Sequence, residues 1–142
     1  MANRNPEQDL INKFVESIKK TKGVEIVCAN CKLQSRADVE FKMQNGEYWV
    51  IEAKSRDSSD KYNTVHKLFG ELLKETGRTR NEGMLRIGVL MPTEGKDFYI
   101  KCFSAIDKDK FIAFGELVPI AKVFLCDQIG NVTEHLWRDF HA

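Results

Sequence analysis

The chain has 142 residues, 42% hydrophobic and 30% charged, with 22 basic against 21 acidic side chains and a net charge of +1. That suits one compact domain over residues 1–142 with its own core, and it excludes a broadly basic surface or an acidic tail. No apolar run reaches the roughly 18–20 residues that span a membrane, and the N-terminus lacks a signal-peptide core, so a cytoplasmic protein with no membrane partner is expected.

Asn5-Pro6-Glu7-Gln8 reads as a helix start, with Asn5 as N-cap, Pro6 first in the helix and Gln8 as the capping-box partner. Leu10, Ile11, Phe14 and Ile18 follow at helical spacing, and Gly23 is the expected stop. Glu7 shares the face of Leu10, Ile11 and Phe14, whereas Glu16 falls on the opposite, solvated face. Val24 to Cys28 reads as a short strand. Ala37–Met43 and Tyr48–Ser55 read as a hairpin around Asn45-Gly46.

Ser58-Ser59-Asp60 is the expected cap of a second helix running to about Thr76, with Val65, Leu68, Phe69, Leu72 and Leu73 as its apolar stripe. A polar, basic loop over 77–83 leads into a strand over 85–91, stopped by Pro92. Phe98, Tyr99, Cys102, Phe103 and Ile106 again fit a helix, and strands are expected over 122–126 and 132–137 around Gly130-Asn131. The order α-β-β-β-α-β-α-β-β implies an α/β fold, a central mixed β-sheet flanked by helices.

Cys28 and Cys31 have the spacing of half a zinc site, but Cys102 and Cys126 lie far apart along the chain. Reduced structural thiols are the default in a cytosolic protein.

The hairpin carries acids inside otherwise apolar strands, and its register decides where they point. A two-residue turn at Asn45-Gly46 would set Asp38 opposite Ala53 and Phe41 opposite Val50, mismatching the apolar faces. A three-residue loop, Gln44-Asn45-Gly46, sets Val39 opposite Ile51 and Phe41 opposite Trp49. Asp38 then opposes Glu52, with Lys54 on the same face. A one-residue slip flips every side chain, so core packing favours the second register.

Two carboxylates about 5 Å apart at their Cβ atoms repel, and a divalent cation relieves that repulsion. Hard oxygen donors with open positions favour Mg²⁺ or Mn²⁺ over Zn²⁺. Asp38, Glu52 and the Ala53 carbonyl are the candidate metal ligands. Lys54 is the candidate to orient or deprotonate a water, or to meet charge on a phosphate. The competing structural reading makes Glu52 and Lys54 a cross-sheet ion pair and Asp38 a solvated strand end.

These residues resemble the PD-(D/E)xK nuclease superfamily, with its restriction-endonuclease-like core of α-β-β-β-α-β. Asp38 matches its Asp and Glu52-Ala53-Lys54 its E-x-K, while Ala37 replaces the proline before the Asp. The likeness covers roughly residues 5–91, leaving 92–142 as a C-terminal elaboration. Many members place a Glu in the first helix, and Glu7 fits that position better than Glu16. Phe69-Gly70-Glu71-Leu72 looks like the Gly-Gln-Leu of some branches, with Glu71 for Gln. Arg56, Lys61, His66, Lys67 and Glu71 are candidates for DNA contact or for supporting the site, each with an ordinary surface role as the alternative.

The resemblance implies a Mg²⁺- or Mn²⁺-dependent endonuclease hydrolysing DNA, with RNA not excluded. A homodimer is expected because one metal site per chain must cut two strands. Competing readings are a non-catalytic nuclease-fold module that binds nucleic acid or a protein, and a zinc-stabilised interaction protein. With charge near neutral, DNA contact must come from local clusters such as Lys54, Arg56, Lys61 and Lys67, or Lys74 to Arg86.

Overall fold

The computed structural model describes residues 6–30, 37–55, 61–77 and 84–142, without the side chains of residues 61, 62 and 64. Helix α1 (Pro6–Ile18) precedes strands β1 (Glu25–Ala29), β2 (Val39–Lys42) and β3 (Glu47–Ala53). Helix α2 (Lys61–Thr76) and strand β4 (Met84–Pro92) follow, then a 3₁₀ turn (Thr93–Gly95) and helices α3 (Lys96–Phe103) and α4 (Lys108–Leu117). Strands β5 (Ile120–Cys126) and β6 (Val132–His135) and a 3₁₀ turn (Trp137–Phe140) end the described chain.

The strands form one six-stranded sheet in sequential order. The β1–β2, β2–β3 and β5–β6 pairs are antiparallel, and β3–β4 and β4–β5 are parallel. Each parallel pair requires a helical crossover, supplied by α2 and by the α3–α4 pair. The expected α/β architecture, a mixed sheet flanked by helices, is the one observed.

Side-chain alternation splits the core in two. Leu10, Ile11 and Phe14 of α1 pack on Val39, Phe41, Trp49, Ile51, Leu90 and Phe124. On the other face Leu68 and Leu72 of α2 join Ile87, Val89, Met91, Tyr99, Phe103, Phe111 and Trp137. The indole of Trp137 lies on α4 at Gly115, where an added Cβ would sit 2.3 Å from a ring carbon, and its N–H donates to the Phe111 carbonyl at 2.9 Å. Burying so large a ring is favourable because its polar end keeps a partner.

Several details differ from the expected elements, and strand β2 is cut back to Val39–Lys42 from the expected Ala37–Met43. Helix α4 adds an element, capped by Asp107, whose side chain accepts from the Lys110 N–H at 3.1 Å. Its Phe111, Phe114 and Gly115 make a poor amphipathic stripe, so the pattern is faint. Helix α1 stops at Ile18, and Gly23, at φ +85°, turns the chain into β1 instead of ending the helix. Strand β3 ends at Ala53, two residues early, and β6 stops at His135 so that Trp137 can turn into the core. The Asn5 cap and the Ser58–Asp60 cap lie outside the described residues.

Candidate active site

The hairpin closes through the three-residue loop that core packing requires. Gly46 adopts φ +94°, its N–H reaches the Met43 carbonyl at 3.1 Å, and the Met43 N–H reaches the Glu47 carbonyl at 2.9 Å. That backbone is a left-handed bulge position suited to glycine. Val39 pairs with Ile51 and Phe41 with Trp49, whose rings stack at 6.1 Å. Extended by one residue, this register sets Asp38 opposite Glu52.

Beyond Val39 the ladder changes character. The Ala53 N–H donates to a side-chain oxygen of Asp38, Oδ2, at 2.9 Å. The Asp38 backbone stays bonded to β1's side, accepting from the Asn30 N–H at 2.9 Å. Asp38 is therefore held through its carboxylate to β3 and through its carbonyl to the chain after β1.

Glu52 and Lys54 are buried, at 4% and 6% exposure, on the face of β3 that looks toward α2. Burial pushes the Asp38 carboxyl up to about 7, against the bond from Ala53, with Glu7 adding to the rise. Burial also pushes Glu52 up to about 10, reinforced by Asp38 and by a hydrogen bond to Glu75. Carboxyls pressed together out of water hold on to protons until a cation offsets their charge.

Lys54 behaves oppositely. Burial alone would lower its pKa, but the Glu71 carboxylate, 2.5 Å from its Nζ, and the charges of Glu7 and Asp38 raise it. Lys54 is thus a cation in this site.

Helix α1 brings Glu7 to the same place. Its pKa is raised by burial, eased by Lys54, and raised again by Glu71. Glu16 is exposed on the far side of α1, as its helical position requires. Asp38, Glu52, Lys54, Glu7 and Glu71 are therefore electrostatic neighbours. Lys67, one turn before Glu71, is exposed and acts on Glu7. His66 is not gathered with them: it lies on another face of α2, beside Phe69 and Phe98, lining a cleft of about 1080 Å³ between α2, α3 and α4. Arg56, and the Lys61 side chain, lie outside the described residues.

Three neighbours escape sequence reasoning. Glu75 is 1% exposed and hydrogen-bonded to Glu52. It continues the buried row of Leu68 and Leu72 at helical spacing, which is the available signal. Tyr99 of α3 donates its hydroxyl to the Ser55 carbonyl at 2.7 Å, fixing the chain just after Lys54. Glu40, two residues after Asp38 on the same face of β2, is fully buried. It accepts from the Tyr48 hydroxyl at 2.6 Å and from the Ala37 N–H at 2.9 Å.

The donor set can be tested against a metal. Among the described residues no three His, Cys, Asp or Glu side chains stand together as a ready metal cage. What remains is two carboxylates, Asp38 and Glu52, and the Ala53 carbonyl, which strand geometry turns to the same edge as the Ala53 N–H. Few protein oxygens with room for waters suit Mg²⁺ or Mn²⁺, which keep several waters, better than a closed zinc cage. Burial raises both carboxyl pKa values, the direction that a nearby cation would oppose. The residues fit the ion.

Cys28, Cys102 and Cys126 form no disulfide. Cys28 Sγ contacts the Ala37 carbonyl at 3.4 Å, and Cys31 lies outside the described residues. No described helix is long and apolar enough to cross a membrane.

No protein-family model matches the chain, and no curated protein matches it. Two solved structures share its fold. One is an XisH family protein from Nostoc punctiforme, with 15% identity and a TM-score of 0.59, covering 88% of this chain and 96% of that one. The other is an fdxN element excision controlling factor protein from Anabaena variabilis, with 13% identity and a TM-score of 0.64, covering 90% of this chain and 98% of that one. The likeness at this identity is one of fold.

Proposed function

We propose that this protein is a divalent-cation-dependent endonuclease that hydrolyses DNA phosphodiester bonds at Asp38, Glu52 and Lys54. The observation that carries the reading is the hairpin register: packing Val39 on Ile51 and Phe41 on Trp49 obliges Asp38 to face Glu52, and the Asp38 carboxylate is tied to Ala53 between Glu52 and Lys54. The structural neighbour that is an excision controlling factor adds support for nucleic acid as the substrate class.

A bound Mg²⁺ or Mn²⁺ would supply Lewis acidity toward a phosphate oxygen and lower the pKa of a water. Asp38 and Glu52 would hold it, giving up the protons that burial makes them keep. Glu75 would keep Glu52 in place through their hydrogen bond. Lys54, whose pKa the carboxylates around it raise against its burial, would serve as a positive charge for the phosphate. Glu71 holds Lys54 Nζ in place until the phosphate competes for it. Glu7 adds negative charge on the α1 side, which acts on Lys54. A homodimer would present two such sites to a duplex.

Nicking of supercoiled plasmid in Mg²⁺ or Mn²⁺ tests the reading. Asp38→Ala, Glu52→Ala and Lys54→Ala should each remove it, and activity persisting in all three variants would sink it. The second reading, a nuclease-fold module that binds without cutting, is favoured by the Lys54–Glu71 pair, which occupies the one lysine the chemistry needs. Calorimetry separates the two, since a module of that kind would take up no divalent ion at millimolar concentration.

A further inference from the structure

The β2–β3 ladder fixes which backbone groups ought to pair. The Met43 N–H to Glu47 carbonyl bond makes residues 43 and 47 a hydrogen-bonded pair. Such pairs recur at every second residue, so 41/49, 39/51 and 37/53 belong to the same set. In an uninterrupted sheet Ala37 and Ala53 would exchange both their N–H···O bonds. They do not. The Ala37 N–H donates to Glu40 Oε2 at 2.9 Å, and the Ala53 N–H donates to Asp38 Oδ2 at 2.9 Å.

We propose that Glu40 is a positioning residue for the candidate metal site: it draws the Ala37 N–H off the ladder, which leaves the Ala53 carbonyl to a divalent cation, while the Ala53 N–H orients Asp38. The proposal rests on the metal-site reading above.

Glu40 is built for this task. It is 0% exposed, and such a carboxylate persists in a core only when its oxygens are satisfied. Oε1 accepts from the hydroxyl of Tyr48, itself buried, at 2.6 Å, the length of a charge-assisted O–H···O⁻ bond. Oε2 faces Ala37, the residue before Asp38. Ala37, Tyr48 and Val50 form a small apolar cluster around the carboxylate, so the Ala37 backbone is gripped by packing as well as by the bond. The distance from Glu40 to any cation is bridged by backbone, not by its own oxygens. It would act through Asp38 and Ala53 as an outer partner of a ligand does.

The test is Mn²⁺ titration calorimetry on the full chain, with amide hydrogen exchange at Ala37 and Ala53. Glu40→Gln should bind within about threefold of wild type, because its carbonyl accepts from Ala37 and its amide donates to the Tyr48 oxygen. The double variant Glu40→Leu/Tyr48→Phe removes both polar partners at once, a change that a buried pair tolerates. It should fold, show slowed exchange at Ala37 and Ala53 as the ladder re-forms, and lose about 10–100-fold in Mn²⁺ affinity. A folded double variant with wild-type affinity would overturn the proposal. Should that variant not fold, Glu40→Asp, which keeps the charge but falls short of Ala37, must lose about tenfold, and wild-type affinity there overturns the proposal equally. A wild-type protein that takes up no Mn²⁺ overturns the metal-site reading itself, which separates the two failures.

Discussion

The two faces of β3 carry opposite chemistry on alternate residues. Trp49, Ile51 and Ala53 face α1 in a wholly apolar layer with Phe14, Phe41 and Phe124. Tyr48, Val50, Glu52 and Lys54 face the other way, and there the apolar pattern gives out toward the strand's end. Both faces are buried, yet past Val50 the α2 side gains no stability from its burial. The α1 face gains from removing apolar surface from water, whereas the α2 side buries ionisable groups that raise one another's energy. A protein that keeps such a cluster beside so effective a core uses the core to hold it together.

That contrast can be broken or sharpened by experiment. The largest effect should be on cleavage: Asp38→Ala or Glu52→Ala should lower it by about a hundredfold or more, read as plasmid nicking, with little loss of fold. Phe14→Ala on the opposite face should do the reverse. It should cost about 3–5 kcal/mol in denaturant unfolding, while the folded fraction keeps its Mn²⁺ affinity. Equal losses of stability from the two kinds of change would erase the distinction between the faces.

Glu52→Gln should leave the metal-free protein as stable or about 1 kcal/mol more stable at pH 8, since a neutral amide need not take up a proton on folding as the raised Glu52 carboxyl does. A marked fall in its melting temperature would show that Glu52 already stabilises the fold.

The pH dependence follows from the same carboxyls. Asp38 rises from 3.8 to about 7 and Glu52 from 4.5 to about 10 on folding. Between those limits the folded state binds more protons than the unfolded state, so metal-free stability falls as pH climbs from about 4 through 7 and beyond. Lys54, whose pKa is raised from 10.5, keeps its charge throughout that window. Melting temperature without metal should therefore drop from pH 5 to pH 8, and Mn²⁺ should raise it more at pH 8 than at pH 5. A flat profile would mean that the acids titrate normally. The smallest effect belongs to His66→Ala, which should change cleavage by no more than about twofold because His66 lines a different cleft.

Much of the candidate site is legible in the sequence. Asp38, Glu52 and Lys54 come from a register choice that aromatic and β-branched residues enforce, and Glu7 comes from its helical phase with Leu10 and Phe14. Glu75 escapes notice although its phase with Leu68 and Leu72 marks it as buried, since an acid on a helix is ordinarily read as surface. Glu40 escapes notice because its importance lies in one backbone N–H. His66 is drawn in only by sharing α2 with Glu71, whose face points elsewhere.

By itself the sequence determined the hairpin and its faces, because alternation is local and one misplaced residue would expose every apolar side chain of the strand. It also determined that α1 and α2 must flank the sheet, through stripes of period 3.6. Only the tertiary structure decided that Lys54 is held as a cation by Glu71, that Glu52 shares its burial with Glu75, and that Asp38 replaces a ladder bond to Ala53. Those are meetings between segments distant in the chain, and their energies depend on how completely water is excluded between them, which no local pattern records.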